Sequence, residues 1–146
     1  MSIPRFGRIL AVDWGEVRIG LATSDETQLI ASPLVTLVRR RGKRFPMAGF
    51  LDQVKALKPI GVVVGLPLEP NGESGPAAGE AQRLAGDIGG RTDLPVELWD
   101  ERMSTARALG AIREQGGSTR GRKRDVDALA AAVVLQHFLD ARRSQP

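Results

Sequence analysis

The chain has 146 residues, 42% of them hydrophobic and 26% charged, with a formal net charge of +4, one histidine and no cysteine. This is the size and make-up of one soluble domain with a full core, so a single domain over residues 1–146 is expected. The lack of cysteine excludes disulfides, zinc–thiolate sites and thiol nucleophiles, and His137 as the single histidine disfavours His-based metal sites and Ser-His-Asp triads.

Taken in chain order, residues 8–14 read as a buried strand, and 17–23 as a second strand after a tight turn at Gly15-Glu16. Residues 33–38 supply a third, so the chain is expected to open with an antiparallel meander. A basic loop and a helix at about 46–57 follow, with Pro59 as its stop. The run Ile60-Gly61-Val62-Val63-Val64-Gly65 is apolar throughout, as in a central strand covered on both faces. Residues 67–76 are rich in Pro, Gly, Glu and Asn and read as a loop. A helix over about 77–88 is expected to end at Gly89-Gly90. Residues 95–99 form a fifth strand, a helix capped by Ser104 or Thr105 runs to about Gln115, and the last helix spans about Asp125 to Arg142. The order β-β-β-α-β-α-β-α-α implies an α/β fold, a mixed five-stranded sheet with helices on both faces. No apolar run approaches the roughly 20 residues of a membrane span, and the first residues lack the apolar core of a secretory signal. A cytoplasmic protein without a membrane partner is expected.

Acidic residues stand where this pattern tolerates charge least. Asp13 ends the apolar run Ile9-Leu10-Ala11-Val12 and shares a strand face with Ile9 and Ala11. Asp100 and Glu101 end the run Val96-Glu97-Leu98-Trp99. On the last helix Asp127 shares a stripe with Ala130, Ala131, Val134, Phe138 and Ala141, which turns it toward the sheet, while Asp125 lies nearly opposite. Each has an ordinary explanation: a turn residue before Gly15, a capping segment before Ser104, a first-turn acid on a helix dipole. Together they describe something more specific. Lone buried carboxylates are costly and are normally paired, protonated or bound to metal. Carboxylates converging from distant segments make a cage for hard divalent cations such as Mg²⁺. Asp13 and the Asp100-Glu101 pair also lie at the carboxyl ends of strands, where open α/β sheets bind ligands.

The positive charge is clustered. Arg39, Arg40, Arg41, Lys43 and Arg44 form one block, Arg120, Arg122, Lys123 and Arg124 a second, and Arg142-Arg143 a smaller pair. One such block is commonly a solvated loop, but two in so small a chain favour a polyanionic partner. Aromatics are only 4%, with no tyrosine, so recognition through backbone and shape is expected rather than base stacking.

The segments Val12-Asp13-Trp14-Gly15-Glu16-Val17-Arg18-Ile19-Gly20-Leu21-Ala22, Val64-Gly65-Leu66-Pro67-Leu68, Asp100-Glu101-Arg102-Met103-Ser104-Thr105 and Asp127-Ala128-Leu129-Ala130-Ala131-Ala132 resemble, in order and over nearly the whole chain, the signature segments of the Holliday-junction-resolvase-like family, also described as pre-16S rRNA nucleases. Ala11 stands where the family usually has glycine. The resemblance implies an RNase H-like fold and a nuclease acting on structured nucleic acid, with precursor 16S rRNA as substrate. It implies Asp13, Glu101 and Asp127 as the catalytic, metal-holding acids, with Asp100 adjacent to the second and strand parity not choosing between them. Two ions, Mg²⁺ or Mn²⁺, would serve such chemistry without histidine or cysteine. Arg18, Arg102, Arg120, Arg122, Lys123 and Arg124 are the candidate phosphate contacts of a monomer or homodimer. The competing readings are a resolvase of four-way DNA junctions and an RNase H-like module that binds RNA or ribosomes without cutting. An actin-like ATPase, which also carries Asp-x-Gly after its first strand, needs two such domains and a longer chain.

Overall fold

The computed structural model describes residues 2–14, 18–39, 44–66, 76–100 and 123–144. Its strands are β1 (Ile9–Trp14), β2 (Arg18–Ser24), β3 (Ala31–Val38), β4 (Gly61–Leu66) and β5 (Val96–Asp100), and its helices α1 (Met47–Leu57), α2 (Pro76–Thr92) and α3 (Lys123–Arg143). The five strands form one sheet in the order β3-β2-β1-β4-β5. β1, β2 and β3 pair antiparallel as the expected meander, with an irregularity in β2 at Leu21/Ala22. β4 joins the other side of β1 in parallel, and β5 continues in parallel beyond it. The helix expected between Ser104 and Gln115 falls outside the described residues.

The alternation of side chains sorts the core into two layers. Leu10, Val12, Ile19, Leu21, Val62 and Val64 meet Phe50 of α1 and Ala81, Leu84 and Ile88 of α2. Ile9, Ala11, Ala22 and Val63 meet Ala131, Ala132, Leu135, Phe138 and Leu139 of α3 on the other face. Val62, Val63 and Val64 are all fully buried, which is why β4 reads as an unbroken apolar run rather than an alternating one. Small side chains along α3 bring its backbone close to the strands, and Gln136 fixes its position by accepting from Ala31 N–H and donating to the Leu29 carbonyl, both at 2.9 Å.

α1 ends as expected. Lys58 adopts the left-handed conformation (φ 50°), its N–H returns to the Val54 carbonyl at 2.9 Å, and Pro59 prevents continuation. α2 corrects the sequence reading, because it runs through Gly89-Gly90 to Thr92. Glycine within a helix costs only about 1 kcal/mol relative to alanine. The actual stop lies further on, where Asp93 turns left-handed (φ 59°), its N–H bonds Gly89 O at 2.9 Å, and Pro95 follows.

Candidate metal and nucleic-acid site

Asp13 is the fifth residue of β1 and lies on the face that carries Ile9 and Ala11, toward α3. It is 4% exposed. Its partner across the β1–β2 ladder is Gly20. Above Gly20 comes the first described turn of α3: a Cβ on Gly20 would meet the Asp127 carbonyl carbon at 2.4 Å. The glycine therefore admits the helix backbone at that point, and the helix delivers Asp127 beside the strand that bears Asp13. Asp127 is 1% exposed, and Ala130, Ala131 and Val134 of its stripe are fully buried, as the helical period predicts.

A buried carboxylate requires a counter-charge, and Arg18 provides it. Its Nε donates to Asp127 Oδ2 at 2.7 Å. Arg18 opens β2 on the same face as Gly20, two residues earlier, so its side chain runs along the sheet to reach the helix. The expected phosphate contact is thus engaged with one of the expected acids. The arrangement suits a hard cation: the donors are carboxylate oxygens, both acids are buried, and a guanidinium already stands in for positive charge at Asp127.

Glu101, Arg102, Arg120 and Arg122 lie outside the described residues, as does the remainder of the second basic block apart from the backbone of Lys123 and Arg124. Among the described residues no three acidic, histidine or cysteine side chains gather into a metal-binding group. What is described next to Glu101 is the end of β5. Trp99 pairs with Gly65 and packs edge-on against Phe138 of α3, with ring centroids 5.6 Å apart. Its indole N–H is buried and finds no acceptor among the described residues. Trp99 therefore marks which parity of β5 faces α3.

Two features escape a reading of the sequence. Gly20 lies between Ile19 and Leu21 in a strand, where only the missing side chain hints at a close approach. Arg39, grouped with the first basic block, is not a solvated arm. Its guanidinium lies 4.2 Å from the centre of the Trp14 ring, and its Nη2 is 3.7 Å from Glu80 Oε2. Trp14 Nε1 donates to the same Glu80 oxygen at 3.0 Å, and Phe45 stacks on the indole. Trp14 follows Asp13 and points to the opposite face, so this cluster fixes the end of β1 from behind.

The family model described as Holliday junction resolvase, RuvX, matches residues 7–141. The chain belongs to the RuvX family. A relative from Anaeromyxobacter sp. (strain Fw109-5), named "Putative pre-16S rRNA nuclease", is 42% identical over 137 residues, covering 94% of this chain and 99% of its own. A relative of the same name from Protochlamydia amoebophila is 35% identical over 145 residues, covering 95% and 97%. Among solved structures, RuvC of T. thermophilus in complex with a Holliday junction substrate superposes with a TM-score of 0.55 at 19% identity, over 93% of this chain and 96% of that one. That likeness is one of fold, and it makes the RuvX chain RNase H-like. The family and fold expected from the four sequence segments are those found.

Proposed function

We propose that this RuvX chain is a divalent-metal-dependent nuclease that hydrolyses phosphodiester bonds in structured nucleic acid, and that it processes the 5′ end of precursor 16S rRNA in the cytoplasm. The observation that carries the reading is the placement of Asp13 and Asp127: two buried carboxylates from distant segments, brought to the two sides of Gly20 in a chain whose relatives bear the nuclease name. No helix among the described residues is long and apolar enough to cross a membrane.

Glu101 is the third acid of the proposal. It is taken from the family resemblance, with the adjacent Asp100 as the alternative second acid. Asp13, Glu101 and Asp127 would hold Mg²⁺ or Mn²⁺, in a pair of ions. Bound there, such ions would supply Lewis-acid charge and would lower the pKa of a bound water, so that its hydroxide form is available as a nucleophile near neutral pH. The chain's own residues do the remainder: the carboxylates orient, the buried setting strengthens their charge, and Arg18, Arg102 and the Arg120, Arg122, Lys123 and Arg124 block hold the phosphates in register.

The test is a cleavage panel of precursor 16S rRNA, single-stranded RNA and four-way DNA junctions with Mg²⁺ or Mn²⁺, beside an Asp13→Asn control. Metal-dependent cutting of the precursor at its 5′ side, absent in the control, is the expected result. Cutting of junctions alone assigns the same chemistry to branched DNA. Cutting of none leaves a binding module.

A further inference from the structure

We propose that Arg18 is a positioning residue that exchanges partners: it neutralises Asp127 in the metal-free protein, and cation entry releases its guanidinium to the substrate phosphate. The inference rests on the metal-site reading of Asp13 and Asp127. Its geometric basis is the bond from Arg18 Nε to Asp127 Oδ2 at 2.7 Å. Asp127 is 1% exposed and Arg18 24%, so the pair spans the boundary between core and surface. The carboxylate cannot turn to water, whereas the guanidinium can.

The exchange follows from charge. Asp13 pairs with Gly20 and the Asp127 backbone lies over that same glycine, so the two buried acids belong to adjoining segments, and buried acids brought near one another repel when no cation is near. Arg18 relieves that repulsion. A divalent cation on the same carboxylate repels the guanidinium instead, and in a buried setting solvent and salt screen that repulsion weakly. The balance of charge then favours exchange of one cation for the other. The bond to Asp127 uses Nε, at the side of the guanidinium, so the Nη groups present the planar donor edge that phosphate accepts. The displaced arginine needs only a side-chain rotation to meet a phosphate held at the same ions. Cation and nucleic acid then bind with positive linkage, each favouring the arrangement that suits the other.

The contrasting reading is a fixed pair in which Arg18 holds the Asp127 rotamer with metal present or absent. Wild-type protein separates the two. In metal-free protein the Arg18 Nε–Hε resonance, identified by its loss in Arg18→Lys, is expected in the slowly exchanging, ion-paired range. Mg²⁺ titration should remove it from that range, with the same midpoint that calorimetry gives for Mg²⁺ binding. In Arg18→Gln, Mg²⁺ should bind roughly tenfold tighter, the equivalent of one charge-assisted hydrogen bond no longer broken. Should Arg18→Gln fail to fold without metal, the wild-type resonance alone decides. A resonance that stays in place while calorimetry shows Mg²⁺ bound, with that binding lost in Asp13→Asn, overturns the exchange and leaves the metal site standing. No Mg²⁺ binding by the wild type at all overturns both.

Discussion

A Cβ on Gly20 would lie 1.9 Å from the carbonyl oxygen of Asp127, a separation no pair of atoms tolerates. The obstacle is backbone on a helix packed across the sheet, so it cannot be relieved by turning a flexible side chain. Gly20 also pairs with Asp13. One residue thus sets the spacing between the strand that carries Asp13 and the helix that carries Asp127.

Gly20→Ala should therefore displace the start of α3 and cost about 3 kcal/mol of stability, the upper part of the range for overpacked cores. Mg²⁺ affinity should fall with it, because Asp127 moves away from Asp13. Thermal melting and calorimetry report the two effects. A Gly20→Ala protein with wild-type melting and metal affinity would show that the helix does not need this approach.

Asp25 governs the turn between β2 and β3. Its carboxylate accepts from the N–H groups of Leu29 at 2.9 Å and Ile30 at 3.0 Å and from the Thr27 hydroxyl. The Thr27 hydroxyl first, then the Ile30 N–H, lower its pKa from the ordinary 3.8 to about 2. A group whose pKa is depressed by folding adds stability above its unfolded pKa and loses that contribution as pH falls through the folded one. Asp25→Ala should cost about 1 kcal/mol near neutral pH, solvent limiting the effect. The gap between variant and wild type should narrow below pH 3.8 and close only as pH falls through and below about 2. Urea melts across that range test it, and a gap independent of pH would contradict the role given to the carboxylate.

Much of this is legible in the sequence, because the relevant signals are local. The unbroken apolar runs Ile9-Leu10-Ala11-Val12 and Val62-Val63-Val64 mark the two central strands, and the helical period places Asp127 inward. The end of α2 was not legible, since Gly89-Gly90 is a local signal overruled by tertiary packing: Ile88 is fully buried and the helix continues past it. Nor were the partners of Arg18 and Arg39. Whether an arginine reaches Asp127, 109 residues away, or folds over Trp14 depends on which segments the sheet brings together, and spacing along the chain does not encode that.

The two basic blocks should separate by experiment. Arg39 is 8% exposed and committed to Trp14 and Glu80, so Arg39→Ala should lower stability by about 1 kcal/mol and leave the salt dependence of RNA binding unchanged. Replacing Arg122, Lys123 and Arg124 with alanine should instead flatten the plot of log K against log salt by about 0.7–0.9 for each phosphate no longer neutralised. Fluorescence titrations over a range of salt concentrations measure both slopes. A flattened slope in Arg39→Ala would mean that its guanidinium leaves the indole for phosphate.

Calcium separates turnover from binding. Ca²⁺ accepts oxygen ligands at longer distances and looser geometry than Mg²⁺, so it can occupy a carboxylate cage without aligning the attacking water. A nuclease built on Asp13, Glu101 and Asp127 should cut with Mg²⁺ or Mn²⁺, lose cutting as Ca²⁺ is added, and still bind RNA in Ca²⁺, because phosphates are held largely by arginine and lysine. Asp13→Asn should cut at least a hundredfold more slowly in Mg²⁺, the equivalent of about 3 kcal/mol of lost transition-state stabilisation, while binding RNA at least as well as wild type because a negative charge has gone. A non-catalytic module predicts the reverse pattern: no products with any cation, and an affinity that Ca²⁺ and Mg²⁺ alter equally. Both substrate classes must be assayed with protein free of contaminating nuclease, since cleavage that survives in Asp13→Asn at the wild-type rate would place the chemistry in another protein or at another site.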